Sequence, residues 1–210
     1  MFDFTDSPVP VREDIKEAYR AIWMHFANPG PVFDAPQRST VLAVARAARS
    51  DNTIETGLLP EFVETLATTL YSDPAAVDGP IVRAAADSAG DPAAVETIGL
   101  VAMLSAVDGT HRALGIELEP LPEPQPGEPT GRIASGLKRR RTHIPMPQGA
   151  IPVALDLLPE VGTAYRASFG PQYITGPEMA FPDFERSPGL NRAQIELVSS
   201  RTSLINECFY

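Results

Sequence analysis

An all-α fold is predicted by three observations. Apolar residues recur three and four apart along most of the chain. Ala, Leu and Val carry most of the 43% apolar content and aromatics only 7%, a balance that suits closely packed helices better than a β-sandwich. Proline and glycine punctuate the breaks between the periodic stretches. At 210 residues the chain has material for one generous domain or two small ones.

The first helix is predicted over 12–26, with Ile15, Tyr19, Ile22, Trp23 and Phe26 on one face and Asp14, Lys16, Glu17 and Arg20 on the other. Asn28-Pro29-Gly30-Pro31 stops it. A second helix runs from about Pro36 to Arg49 with an apolar stripe of Val41, Val44, Ala45 and Ala48. A third covers 60–71, with Phe62, Leu66 and Leu70 four apart, and a fourth covers 79–89. Gly90-Asp91-Pro92 then breaks and restarts the chain, with Asp91 expected as N-cap and Pro92 at the first helical position. The helix that follows, 92–114, is apolar almost all round from Ile98 to Val107 and ends at Gly115. Such a helix is buried in a bundle or at a subunit interface.

Composition changes between Glu117 and Gly149. Residues 117–130 hold five prolines and four glutamates and read as an extended linker of polyproline type. Lys138-Arg139-Arg140-Arg141 reverses the charge. With no aromatic interleaving, this tract reads as a solvated loop pairing with the acidic linker rather than as a nucleic-acid patch. The helical pattern resumes with an apolar segment over 151–158 and a helix over 159–173 carrying Val161, Tyr165 and Phe169. A loop-like stretch over 175–189 precedes the last helix, Asn191 to about Ile205, whose apolar face is Ile195, Val198, Thr202 and Ile205. The organisation expected is a helical unit over 1–116, a linker over 117–149 and a second unit over 150–210.

Charge and composition narrow the partners. Lys+Arg 17 against Asp+Glu 27 leaves a net charge of −10, which disfavours nucleic acid and anionic membranes. The longest apolar stretch, Ile98 to Val107, is about half of the ~20 residues of a membrane span. The opening MFDFTDSPVP has neither a basic nor an apolar leader region, so cytoplasmic residence is the expectation. Cys208 is the sole cysteine, which rules out a disulfide within the 210 residues and a multi-cysteine metal site. The histidines His25, His111 and His143 share no metal-ligand spacing. His25 reads as a packing or surface residue, His111 as a helix-end group hydrogen-bonded near an acid, and His143 as solvated. No cofactor is expected: no Gly-rich phosphate loop follows a strand, and GxSxG is absent.

Chemistry concentrates at the C-terminal stretch LNRAQIELVSSRTSLINECFY. Glu196 lies near the start of a Ser/Thr-rich helix, and Cys208 follows twelve positions later. A cysteine just past Asn206, itself a good N-cap, would have its thiolate favoured by a following helix dipole. At these residues the chain resembles the carboxymuconolactone decarboxylase and alkylhydroperoxidase-D superfamily, whose pattern is a glutamate, such a helix, Cys-x-x-Cys and a histidine three residues on. Glu196 and Cys208 match the relay glutamate and the first cysteine, while Asn206, Phe209 and Tyr210 match the residues usually around the pair. Residues 151–173 are similar to the family's helical lead-in. Residues 95–124 resemble the closing helix of one unit with the Pro-rich tail of two-unit members. Thr40 to Ser50, with Asp51-Asn52 near the cysteine position, reads either as a degenerate earlier copy or as an unrelated amphipathic helix.

What the resemblance implies is a thiol peroxidase drawing on a hydroperoxide and a thiol or disulfide electron donor, in a homo-oligomer. The second cysteine reacts with the hydroperoxide, the first resolves the sulfenic acid, and glutamate and histidine relay the proton. The second cysteine would stand at position 211, beyond Tyr210, so Cys208 matches only the resolving partner. The 210 residues alone should then not turn over. Two expectations account for this boundary: a gene-calling or assembly artefact, or a UGA codon for selenocysteine read as stop. Two other functions stay open, a non-catalytic helical scaffold and a lactone decarboxylase. The cysteine motif disfavours the decarboxylase, whose chemistry needs acid/base groups and no thiol pair.

Overall fold

The computed structural model describes residues 1–50, 54, 57–148, 153–174, 176–181 and 190–205. They form helices α1 (Glu13–Ala27), α2 (Ala35–Ala47), α3 (Glu61–Ser72), α4 (Gly79–Ala89), α5 (Asp91–Leu114), α6 (Pro159–Phe169), a one-turn α7 (Gly176–Met179) and α8 (Arg192–Ile205). No strand forms among the described residues; an isolated antiparallel bridge joins Lys138 and Met146. The all-α expectation holds.

Local chemistry sets the helix starts. Asp34 caps α2 by accepting from Gln37 N at 2.8 Å, while the Gln37 side chain takes Asp34 N at 3.0 Å, a reciprocal capping box with Pro36 in the first turn. Asp78 caps α4 through Ile81 N at 3.0 Å. The predicted cap of α5 is corrected. Gly90, at φ 91, occupies the N-cap, and Asp91 is already helical. Its carboxylate turns sideways to Arg139. That pairing also revises the basic tract, whose described ion pair is with the start of α5 rather than with the Pro-rich segment. Gly115, at φ 68, closes α5, and Ile116 N reaches back to His111 O at 3.1 Å.

Helix α5 runs through the centre, against α1, α2, α3, α4 and α6. Leu100, Val101, Met103, Leu104 and Val107 join Tyr19, Trp23 and Phe26 of α1, Val41 and Leu42 of α2, and Val63 of α3 in one core. Gly99 lets α6 approach: a Cβ there would run into Val161 Cγ1. Over its most apolar window α5 has a mean hydropathy of 1.3, and at 24 residues it is long and apolar enough to cross a membrane. The stretch over 98–107 understates this, because the polar residues that flank it leave the average over the longer window apolar. In this fold 67% of that window is buried in the bundle.

The Pro-rich segment lies extended as a strap across the helices. Arg46 Nη1 and Trp23 Nε1 each donate to its carbonyls, at Glu119 and Pro120, both at 2.8 Å. Its own amides donate at Gln125 to Ala27 O (2.8 Å) and at Thr130 to Gly30 O (2.9 Å). Polyproline backbone has no internal hydrogen bonds, so these groups are free to bind the bundle. Beyond the strap, Ile144, Leu155, Leu157, Leu158 and Val161 share a second core cluster with Leu66, Val82, Ala85 and Val95.

Candidate functional site

Glu196 stands on α8 with its side chain half exposed, 3.6 Å from Arg192 Nε one turn before it. It lines a cleft of about 720 Å³ between α8 and the C-terminal half of α5. Ile195, Ser199 and Thr202 of α8 line it with Ser105, Ala106, Gly109 and Thr110 of α5, and Phe169 and Tyr173 complete the lining. Volume and mixed lining suit a small-molecule site. Asn206, Cys208, Phe209 and Tyr210 lie outside the described residues. The apolar face read for α8 has no buried member, and Leu197 and Leu204 are 71% and 67% exposed. Among the described residues α8 packs on no other helix; periodicity marks an apolar face without saying what covers it.

Two clusters of buried charge bridge α2 and α5. In the first, Arg38 and Glu96 are wholly buried, with Nε and Oε1 3.3 Å apart. Glu96 Oε2 accepts Val32 N (2.8 Å) and Phe33 N (3.2 Å). Arg38 Nη1 donates to Asn28 O and its Nη2 to His25 Nε2, both at 2.7 Å. His25 is therefore a neutral ring held by a cation, and burial, then the Arg38 charge, push its pKa down to about 3.

In the second cluster Arg46 grips Asp108 with two hydrogen bonds, Nε to Oδ2 at 2.9 Å and Nη2 to Oδ1 at 2.7 Å. Tyr71 Oη donates to Asp108 and accepts from Arg112 Nη2 at 2.6 Å. Burial, followed by that carboxylate, pushes the Tyr71 phenol up to about 12. The signal that could have found both pairs is a charged residue within or at the end of an apolar stretch, as Glu96 and Asp108 are.

The other histidines take structural contacts. His111 is buried, its Nδ1 2.9 Å from Val107 O, with the rings of Phe2 and Phe4 against it. His143 is exposed, with Nδ1 2.9 Å from Arg83 Nη1. No group of three His, Cys, Asp or Glu side chains suited to a metal ion occurs among the described residues.

No family model, curated protein or solved structure matches the chain.

Proposed function

We propose that the chain carries the glutamate and resolving-cysteine half of an alkylhydroperoxidase-type thiol centre. The single observation that supports this is the position of Glu196 on the wall of a cleft large enough for a small organic hydroperoxide. A carboxylate on a cavity wall can carry a proton to a leaving oxygen, whereas one on a fully solvated face cannot do so selectively.

The reaction needs a thiolate or selenolate three positions after Cys208. That group attacks the terminal peroxide oxygen and breaks the O–O bond. One proton goes to the departing alkoxide, leaving an alcohol and a sulfenic or selenenic acid. Cys208 then attacks that sulfur or selenium and expels the oxygen as water, closing a disulfide or selenenylsulfide that an external dithiol reduces. Glu196 is the proton carrier. Twelve residues of unbroken helix would separate Glu196 from Cys208 by about 18 Å. The reading therefore requires the chain to turn back toward the cleft after α8.

The test is hydroperoxide consumption by the protein translated from the complete gene, with a dithiol donor. Cys208→Ser should abolish turnover, and Glu196→Gln should lower it by about 10²-fold or more. A gene product with no thiol or selenol three residues after Cys208 would overturn the proposal, as would turnover indifferent to both substitutions. A scaffold reading draws on a different observation, the solvent-facing Leu197 and Leu204 of α8. It expects a stable oligomer by light scattering that Leu197→Glu with Leu204→Glu dissociates, and no redox activity.

A further inference from the structure

We infer that a second cleft, between the C-terminal ends of α2 and α5, binds an organic anion whose head sits between Arg49 and Arg112. The cleft measures about 560 Å³, within the range of small-molecule sites. Ala47, Leu118 and Leu121 give it an apolar floor and wall. The ligand class is therefore a carboxylate or phosphate monoester with a short hydrocarbon body. Different residues carry this inference from those that line the Glu196 cleft.

Three arginines line this one cavity in a chain of net charge −10. Arg46 is already neutralised by Asp108 through its two hydrogen bonds. Arg49 and Arg112 pair with no carboxylate among the described residues. Each is held instead on the ring of Tyr71, with Cζ 5.5 and 5.2 Å from its centroid. One hydrogen bond fixes each in place, Arg49 Nε to Tyr71 O at 3.1 Å and Arg112 Nη2 to Tyr71 Oη at 2.6 Å.

A guanidinium has five N–H donors, and among the described residues one hydrogen bond is given by each fork. Two guanidiniums that share one ring and one cleft, with no carboxylate partner among the described residues, set up a positive potential that an anion in the cleft would lower. Basic side chains near a helix end ordinarily answer the negative end of the dipole. Arg46 alone already serves α2 in that way, and Arg49 lies two residues beyond its last turn. The stacked, hydrogen-bonded posture is the preorganisation that planar recognition of carboxylate or phosphate uses.

The test titrates the intact chain by calorimetry with octanoate, octyl phosphate and octan-1-ol at low and high salt. The anions should bind saturably and weaken with salt, and the alcohol should not bind. Tighter octanoate identifies a carboxylate ligand and tighter octyl phosphate a phosphate monoester; both support the site. Arg49→Gln, at an exposed position, should weaken the preferred anion about tenfold with the melting temperature unchanged. Arg112→Gln should weaken the anion similarly and, by losing the Tyr71 hydrogen bond, also lower the melting temperature. Failure of both anions to saturate at millimolar concentration would overturn the site. So would equal binding of the alcohol, or affinity unmoved by Arg49→Gln; the two arginines would then only cover Tyr71 in solvent.

Discussion

The two arginine–carboxylate pairs between α2 and α5 use the same groups in opposite ways. Arg38 and Glu96 join the starts of the two helices, and Arg46 and Asp108 join them further along, so α2 and α5 run in the same sense. The first pair is closed: both side chains are at 1% exposure or less, and they meet at one 3.3 Å contact. Its hydrogen bonds are made with backbone at Asn28, Val32 and Phe33 and with His25. The second pair is open on one side. Asp108 is buried, but 17% of the Arg46 side chain reaches solvent, and the pair continues through Tyr71 to Arg112 at a cleft. The difference teaches that a buried ion pair with poor mutual geometry can be held by main-chain groups around its outer atoms, while its facing atoms, Arg38 Nε and Glu96 Oε1, make no hydrogen bond. The closed pair ties the 28–33 loop to the bundle, whereas the open pair organises a surface.

Breaking each pair from the carboxylate side should separate the two roles. Glu96→Ala leaves the Arg38 guanidinium buried and unneutralised, with no path to water, and should cost about 3–5 kcal/mol. Asp108→Ala leaves Arg46 able to turn toward solvent through the cleft, and should cost about 1–3 kcal/mol. Urea unfolding of the two variants checks this. An equal loss for both would show that burial of the arginine does not distinguish them.

Gly30→Ala attacks the closed pair without touching its charges. A Cβ at Gly30 would occupy the space of Glu96 Oε1 and press on Arg38 Cζ. The loop must shift, loosening the Val32 and Phe33 hydrogen bonds to Glu96, at a cost of about 1–3 kcal/mol. Thermal melts of Gly30→Ala and Gly109→Ala give the contrast, because a Cβ at Gly109 meets nothing and should be neutral or stabilising.

These pairs also mark where sequence patterning stops being informative. Helices α1 to α5 lie close to their expected bounds, because apolar spacing and Pro/Gly punctuation are local signals. The predicted end of α6 at Tyr173 overran its observed end at Phe169, since Gly170-Pro171 tightens the last turn to 3-10 geometry. Arg38 and Glu96 stayed hidden because helical periodicity assigns polar side chains to solvent, and only the tertiary arrangement shows the groups that satisfy them. The strap was legible as extended but not as anchored, because main-chain hydrogen bonds leave no residue signature. Of the sequence-derived site, Glu196 is on a cleft wall, while Cys208 lies outside the described residues.

The finest distinction between the pairs is protonic, because only the closed one has a histidine on it. His25 accepts from Arg38, so its ring is neutral in the fold, and its pKa is lowered from 6.5 to about 3. Between those values the unfolded chain binds a proton that the folded chain refuses. The His25 contribution is therefore fully present above about pH 6.5 and is lost as pH falls toward about 3, at no more than about 1.4 kcal/mol per pH unit. Glu96 opposes this: burial raises its carboxyl, so acid protonates the fold more readily than the unfolded chain. Glu160 of α6 adds a negative charge felt by both Arg38 and Glu96. His25→Gln keeps an acceptor for Arg38 and removes only the imidazole titration. Between about pH 7 and about pH 4.5 the urea midpoint of the parent chain should fall further than that of His25→Gln. Equal falls would place the acid sensitivity on carboxylates and remove His25 from the account.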